Sequence, residues 1–131
     1  MSTQTDRTLF LRRSLQLDGV ATGLTGATLL VAAQPVSALL GIPAPGIALA
    51  VGGLLLAFGA ALLWHARRVT LSRGEALLTV VLNVGWVAGS IVVLAAGPLT
   101  LLGNLAVAVV AAAVLGFAAL EVAGLRRLRE A

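Results

Sequence analysis

The sequence has no cysteine and no lysine, and it has a single histidine. Without cysteine the chain forms no disulfide, holds no iron–sulfur cluster and performs no thiol catalysis. Without lysine it forms no Schiff base with retinal or pyridoxal phosphate. One histidine excludes a bis-histidine haem within the chain and makes a zinc site of ordinary ligand number a poor expectation. We therefore expect no metal, no cofactor and no catalytic residue.

Charge is also scarce, since charged residues are 11% of the chain and hydrophobic residues 60%. Soluble domains are about 45–50% apolar. Four apolar runs are long enough to cross a hydrocarbon core of roughly 30 Å: residues 15–33, 46–66, 75–96 and 101–125. A backbone within lipid must satisfy its own hydrogen bonds, so each run is predicted to be a helix. Residues 1–131 are thus predicted to form one all-α domain, a transmembrane four-helix bundle.

The nine basic residues are all arginines and fall outside the apolar runs. They form three clusters: Arg7, Arg12 and Arg13; Arg67, Arg68 and Arg73; and Arg126, Arg127 and Arg129. The other two loops, residues 34–45 and 97–100, carry no charge. Because basic residues mark the cytoplasmic ends of membrane helices, we expect a multi-pass protein of the cytoplasmic (inner) membrane with both termini in the cytoplasm. The net charge of +4 then indicates anionic lipid headgroups, not nucleic acid, as the partner.

The second half of the sequence resembles the first. Residues 32–41 read AAQPVSALLG, and residues 95–103 read AAGPLTLLG with one residue deleted. Two such hairpins predict a pseudo-twofold axis along the membrane normal. The apolar piece 36–42, between Pro35 and Pro43, is too short to span, so we expect it at the outer interface. The first run follows an arginine pair, as in a secretion signal, but Asp18 within it and the matching second hairpin argue against cleavage.

Small residues recur at helical spacing in each run and predict close helix packing. The glycines expected to carry this packing are Gly19, Gly23, Gly85, Gly89 and Gly116. Since lipid tails are as apolar as leucine, close backbone approach is what holds membrane helices together. A surplus of such faces would bind another copy or another membrane protein, and the pattern does not distinguish these outcomes.

Apart from Glu75, which begins the third run, two acidic residues lie within the apolar runs. Asp18 is five residues beyond Arg13, or about 7 Å deeper at 1.5 Å per residue. An ionisable group inside a membrane helix indicates a proton or cation site, with Thr22 on the same side. Alternatively, Asp18 lies at the headgroup boundary and pairs with an arginine. Glu121 has similar depth before Arg126, so the two carboxyls either share a proton across the bundle or both extend to the boundary.

The third run carries a polar stripe on one helical face. Its members are Thr79, Asn83, Trp86 and Ser90. One interpretation is a lining for a small polar ligand or a quinone headgroup, with Asn83 and Trp86 as binding residues. The other is a set of hydrogen bonds between helices that fixes their packing.

With these residues placed, the chain resembles small four-helix bacterial integral membrane proteins. The resemblance covers nearly the whole chain and implies no catalytic residue. It is carried by Leu17-Asp18, by ALLGIP at residues 38–43, by LNVGWV at residues 82–87 and by GLRR at residues 124–127. The chain is also similar to small multidrug-resistance transporters in length, helix number and an acidic residue in the first helix. Those transporters have glutamate at that position and an aromatic-rich pocket, whereas aromatics are 4% here.

Two functions follow as expectations. The first is a non-enzymatic helix bundle that acts by association, as an accessory subunit of a membrane complex or as a homo-oligomer. The alternative is a small proton-coupled transporter that uses Asp18, with Glu121 and Asn83. A membrane enzyme would need a nucleophile or base in a pocket, and the sequence offers only scattered carboxylates and one histidine.

Overall fold

A computed structural model describes the backbone of residues 2–129 and the side chains of residues 8–128. This part of the chain is helical and contains no strand. The side chains of Arg7 and Arg129 lie outside it. Its five helices are α1 (Ser2–Val31), α2 (Ala33–Leu40), α3 (Pro45–Arg67), α4 (Arg73–Ala96) and α5 (Leu101–Arg129). Three of them, α3, α4 and α5, are long and apolar enough to cross a membrane, and the bent pair α1–α2 adds a fourth span if counted as one.

The segment 34–45, predicted as a loop, differs from that prediction because most of α2 lies within it. Pro35 has no N–H to bond the carbonyl of Val31, and its ring crowds that carbonyl, so α1 breaks there. The axis of α2 is bent by 98° from α1. Gly41 ends α2 with φ 76°, a left-handed conformation that glycine adopts without strain, and its N–H bonds Ser37 O. The apolar piece 36–42 is therefore mostly a helix lying across the end of α1.

The start of α4 follows from a sequence pattern. Ser72 with Glu75 three residues later is typical of a capping box, and Ser72 Oγ accepts the Glu75 N–H at 3.3 Å. The reciprocal half of the box is absent among the described contacts. The Ser72 N–H instead donates to His65 Nε2 at 3.1 Å, and the Glu75 carboxylate pairs with Arg68 at 2.8 Å. Glu75 therefore helps to fix the start of α4, and Arg68 is its ion-pair partner.

Helices α1 and α3 pack backbone against backbone. A Cβ added to Gly26 would lie 2.5 Å from the nitrogen of Leu56, and one added to Gly59 would lie 2.6 Å from the nitrogen of Gly23. A Cβ on Gly19 would meet the Gly59 carbonyl at 3.1 Å. Only glycine permits so close an approach, and it maximises dispersion contact between helices.

Of the predicted packing glycines, Gly19 lies at such a contact and Gly23 contributes its backbone to the contact at Gly59, whereas the other three have open space around them. A Cβ built on Gly85, Gly89 or Gly116 meets no other atom within 4 Å. Spacing along a helix shows that a small face exists, but it does not show which face is turned towards a neighbour. The prediction for these three residues is therefore corrected: they make no tight helix contact within the described chain.

The four long helices are arranged in the order α3, α1, α5, α4. Helix α1 packs most extensively on α3 and also on α5, while α4 packs on α5. Helices α3 and α4 are consecutive in sequence, yet in the described residues they make almost no close backbone contact. Helices α3 and α4 therefore do not pack backbone against backbone, and α2 contacts α3 and α5 at one end of the molecule.

The two ends of the molecule differ in charge. At one end Arg12 donates hydrogen bonds to the carbonyls of Ala66, Arg68 and Val69, which are left unpaired at the end of α3. The guanidinium of Arg127 lies 4.0 Å from the centroid of the Phe10 ring. At the opposite end the uncharged turns meet, as Thr100 N–H donates to Leu40 O at 3.1 Å. We call the first end the arginine end.

Candidate functional site

One face of α1 runs from apolar to polar. Its residues, spaced alternately four and three apart, are Leu11, Leu15, Asp18, Thr22 and Thr25. Leu11, Leu15 and Asp18 are each 0% exposed. This face is turned into the bundle, so the residues of the polar half can meet groups from other helices.

Three polar side chains from three helices form a buried network, which we call the carboxyl layer: Asp18 of α1, Asn83 of α4 and Glu121 of α5. Asn83 Nδ2 donates to Asp18 Oδ2 at 2.8 Å and lies 3.3 Å from Glu121 Oε1. Thr22 Oγ1 donates to Asp18 Oδ1 at 2.9 Å. Asp18 and Glu121 are fully buried and Asn83 is 4% exposed. One amide thus bridges two carboxyl groups.

Among the described residues these two acids lie inside the bundle and neither pairs with an arginine, while their depth relative to lipid headgroups stays a prediction. Both side chains are inaccessible to solvent. Within the described residues neither carboxyl takes part in an ion pair. Asp18 and Glu121 meet inside the bundle, as one of the two interpretations of the sequence predicts, because the Asn83 amide contacts both carboxyl groups.

The composition of the carboxyl layer determines its chemistry. Two adjacent buried carboxylates repel each other, and burial penalises each charge. The described neighbours supply an amide and a hydroxyl but no positive charge. Glu121 Oε2 is buried and has no hydrogen-bond partner in the described part of the chain. A proton or a small cation between the two carboxyl groups would relieve this repulsion.

An apolar seal separates the carboxyl layer from the arginine end. It is formed by buried residues of four helices: Leu11, Leu15, Leu62, Ala66, Ala76 and Leu125. Asp18 follows Leu15 by less than one helical turn. The side chains of this cluster are all apolar, so they offer no hydrogen-bond partner to water from the arginine end.

A cavity of about 300 Å³ lies on the other side of the carboxyl layer. All four long helices line it, and its polar lining comes from Thr22, Thr25 and Asn83 in an otherwise largely apolar wall. A second cavity of about 670 Å³ extends towards Pro43 and Pro98 at the uncharged end. The lining of neither cavity includes a charged residue.

The four side chains of the polar stripe on α4 fall into two groups, because the hydroxyl groups of two of them bond carbonyls of α4 itself. Asn83 and Trp86 line the cavities, and Trp86 lines both. Its indole Nε1 is buried without a hydrogen-bond partner in the described residues. Thr79 Oγ1 bonds the Glu75 carbonyl at 3.0 Å and Ser90 Oγ bonds the Trp86 carbonyl at 2.8 Å, so neither hydroxyl bridges two helices.

Phe58 and Phe117 also line the first cavity, although the sequence does not mark them. A single aromatic residue in an apolar helix gives no signal of its own. The residues of the apolar seal are hidden for the same reason, because leucines are common on every face of a membrane helix.

No known protein family, curated protein or solved structure matches this chain. Among the described residues, no group of three or more histidine and acidic side chains is placed to hold a metal ion. The carboxyl layer and its cavity are therefore the features on which a function rests.

Proposed function

We propose that the protein is a four-span membrane protein of the bacterial cytoplasmic membrane and acts as a small proton-coupled transporter. Asp18 and Glu121 form its proton-binding pair. The observation that carries this proposal is the convergence of three buried polar side chains, from three helices, at the inner end of a cavity. Buried ionisable groups inside membrane helices are costly and are retained for ion or proton movement.

The route to the carboxyl layer is one-sided, as expected for one state of an alternating-access cycle. The cavities lead from Asp18 and Asn83 towards the uncharged end, and the apolar seal blocks the arginine end. In this proposal the chain forms two related hairpins. The first consists of α1–α2 and α3, and the second consists of α4 and α5. The arginine end faces the cytoplasm, beside anionic lipid headgroups.

The test is proton movement in liposomes that enclose a pH-sensitive dye. A panel of lipophilic amines, weak acids and quinones is added, and internal pH is followed. We expect at least one compound to drive a pH change with the native protein and Asp18→Asn to abolish it. Glu75→Gln, which alters a carboxylate near the arginine end, is the matched control and should transport normally. Equal proton movement with Asp18→Asn would overturn the proposal.

A second function, association within the membrane, is supported by a stripe of small residues on the exposed face of α5. Ala108, Ala112 and Gly116 follow one another at four-residue intervals on α5, and all three are exposed. Such a stripe permits a second helix to approach closely. A partner helix from a second copy, or from a larger complex, is the expected occupant.

This second proposal is tested by native mass spectrometry of the protein in lipid nanodiscs. We expect Gly116→Leu to dissociate an assembly that the native chain forms. Gly46→Leu changes an exposed glycine of α3 that also has open space around it, so it should leave the assembly intact. A native chain that is purely monomeric in lipid contradicts a homo-oligomer.

A further inference from the structure

The single histidine of the chain, His65, lies where α3 ends and α4 begins. Its side chain is buried, and its Nε2 accepts the Ser72 N–H at 3.1 Å. Ser72 is the N-cap residue of α4, so this bond joins the last turn of α3 to the start of the next helix. An imidazole nitrogen accepts a hydrogen bond only while it carries no proton. The bond therefore requires uncharged His65, with its proton on Nδ1.

A second acceptor faces the same ring nitrogen. Glu75 Oε2 lies 3.3 Å from His65 Nε2, while Glu75 Oε1 pairs with the Arg68 guanidinium at 2.8 Å. Without a proton between them, the carboxylate oxygen and the ring nitrogen gain no hydrogen bond from this approach. An imidazolium N–H would instead donate to the carboxylate in a charge-assisted hydrogen bond. The acceptor for protonated His65 is thus already in place.

The surroundings of the ring act on its charge in both directions. Within the described residues, Glu75 of α4 favours the imidazolium, whereas Arg68, just beyond α3, and Arg12 of α1 oppose it. Burial of the ring opposes the charge as well. Histidine ordinarily changes its charge between about pH 5 and pH 8, so the balance between these effects is set by the pH of the solution.

Protonation of His65 would change how α3 and α4 are joined. The two helices make almost no close backbone contact in the described residues, so polar contacts at their junction hold them together. A proton on Nε2 removes the acceptor of the Ser72 N–H. Because Ser72 Oγ also accepts the Glu75 N–H, a displacement of Ser72 reaches the first turn of α4.

We propose that the junction of α3 and α4 is a pH-sensitive switch. At about pH 8 His65 is uncharged and accepts the Ser72 N–H. On acidification Nε2 takes a proton from water and donates a hydrogen bond to Glu75, and the Ser72 N–H is released. The start of α4 is then held less firmly to the end of α3. The switch depends on pH at the arginine end and not on what the cavities carry.

The test is nuclear magnetic resonance of the full chain in lipid nanodiscs. Because the chain has one histidine, isotopic labelling of histidine nitrogen gives ring signals from His65 alone. We expect Nε2 to be unprotonated at about pH 8 and protonated at about pH 5. Over this range the Ser72 amide should lose about tenfold in protection against hydrogen exchange, the usual effect of losing one hydrogen bond. The effect of pH on exchange in the unfolded chain is subtracted. The Gly97 amide, which bonds Val93 O at the other end of α4, is the internal control and should keep its protection.

Two variants separate the roles of the ring and the carboxylate. The amide oxygen of His65→Gln can accept the Ser72 N–H but does not titrate, so the Ser72 amide should stay protected throughout. In Glu75→Gln the carboxylate is lost, and release of the Ser72 amide should begin only in more acidic solution.

The native protein alone decides the proposal if either variant fails to fold. The switch is overturned if Nε2 is already protonated at about pH 8, or if it stays unprotonated at about pH 5. It is also overturned if the Ser72 amide keeps its protection while His65 takes up its proton.

Discussion

Asn83 of α4 donates a hydrogen bond to Asp18 of α1 over 2.8 Å, although the two residues are 65 positions apart. Helices α1 and α4 otherwise share few close backbone contacts in the described chain. This buried bond therefore ties α4 to the opposite side of the bundle, while Asn83 also reaches Glu121 of α5. The same side chain holds the helices together and positions the carboxyl pair.

Replacing the bridging amide should destabilise the bundle. Asn83→Ala leaves two buried carboxyl groups without their common donor, and we expect a loss of about 1–3 kcal/mol in the free energy of unfolding. Thermal unfolding in a mild detergent measures it. Asn104→Ala is the control, because Asn104 Oδ1 has no hydrogen-bond partner in the described residues, and its effect should be smaller. Equal losses would show that Asn83 contributes by packing alone.

The carboxyl pair should hold one proton at neutral pH, because two adjacent buried carboxylates cannot both remain charged without a cation. Infrared spectroscopy of the protein in lipid detects the C=O stretch of a protonated carboxyl group. We expect this band in the native protein, and we expect Glu121→Gln or Asp18→Asn to reduce it. Glu75→Gln should leave it unchanged. A native spectrum without the band would mean that both groups are ionised.

The α1–α3 interface should reject even one methyl group. In Gly59→Ala the new Cβ would lie 2.6 Å from the nitrogen of Gly23, so the helices must separate, at a cost of about 1–3 kcal/mol. Gly23→Ala adds the same group on the facing helix where nothing lies within 4 Å, and it should be neutral or slightly stabilising. Unfolding of the two variants side by side gives the comparison, and similar stabilities would contradict the close approach.

Opening the apolar seal should produce a proton leak. Leu15 is fully buried between the arginine end and Asp18. Leu15→Asn therefore introduces an amide that can hydrogen-bond water beside the carboxyl layer. We expect faster decay of an imposed pH gradient in proteoliposomes without any added substrate. The control is Leu17→Asn, because Leu17 is 59% exposed. An unchanged decay rate with folded Leu15→Asn would show that the seal is not what excludes protons.

The orientation of the chain can be read by cysteine labelling, because the native sequence has no cysteine. Thr70→Cys places a thiol between α3 and α4, and Ala44→Cys places one between α2 and α3. In intact spheroplasts a membrane-impermeant maleimide should label Ala44→Cys and should label Thr70→Cys only after lysis. The reverse pattern would place the arginine end outside.

The sequence indicates which residues form the carboxyl layer, but it does not show that their side chains meet inside the bundle. Counting residues from the arginine clusters places Asp18 and Glu121 at similar depth, and the stripe on α4 singles out Asn83. Depth alone does not give the rotation of each helix, so burial and boundary positions were equally compatible with the sequence. Helix rotation also explains the result for Gly85, Gly89 and Gly116. Their spacing shows that small faces exist, but it does not show which way those faces point. Helix α2 was missed because prolines at 35 and 43 resemble the ends of a loop.

The spacing of the long helices has a mechanical consequence. Helices α1 and α3 meet through glycine backbones and have little freedom to slide, whereas α4 is held mainly along α5 and by the bond from Asn83 to Asp18. The movement that meets least resistance is therefore a rotation of α4 about its contact with α5. The Asn83–Asp18 hydrogen bond restrains this rotation. Protonation of the Asp18 carboxyl group would weaken this hydrogen bond, so the same group would bind the proton and control the position of α4.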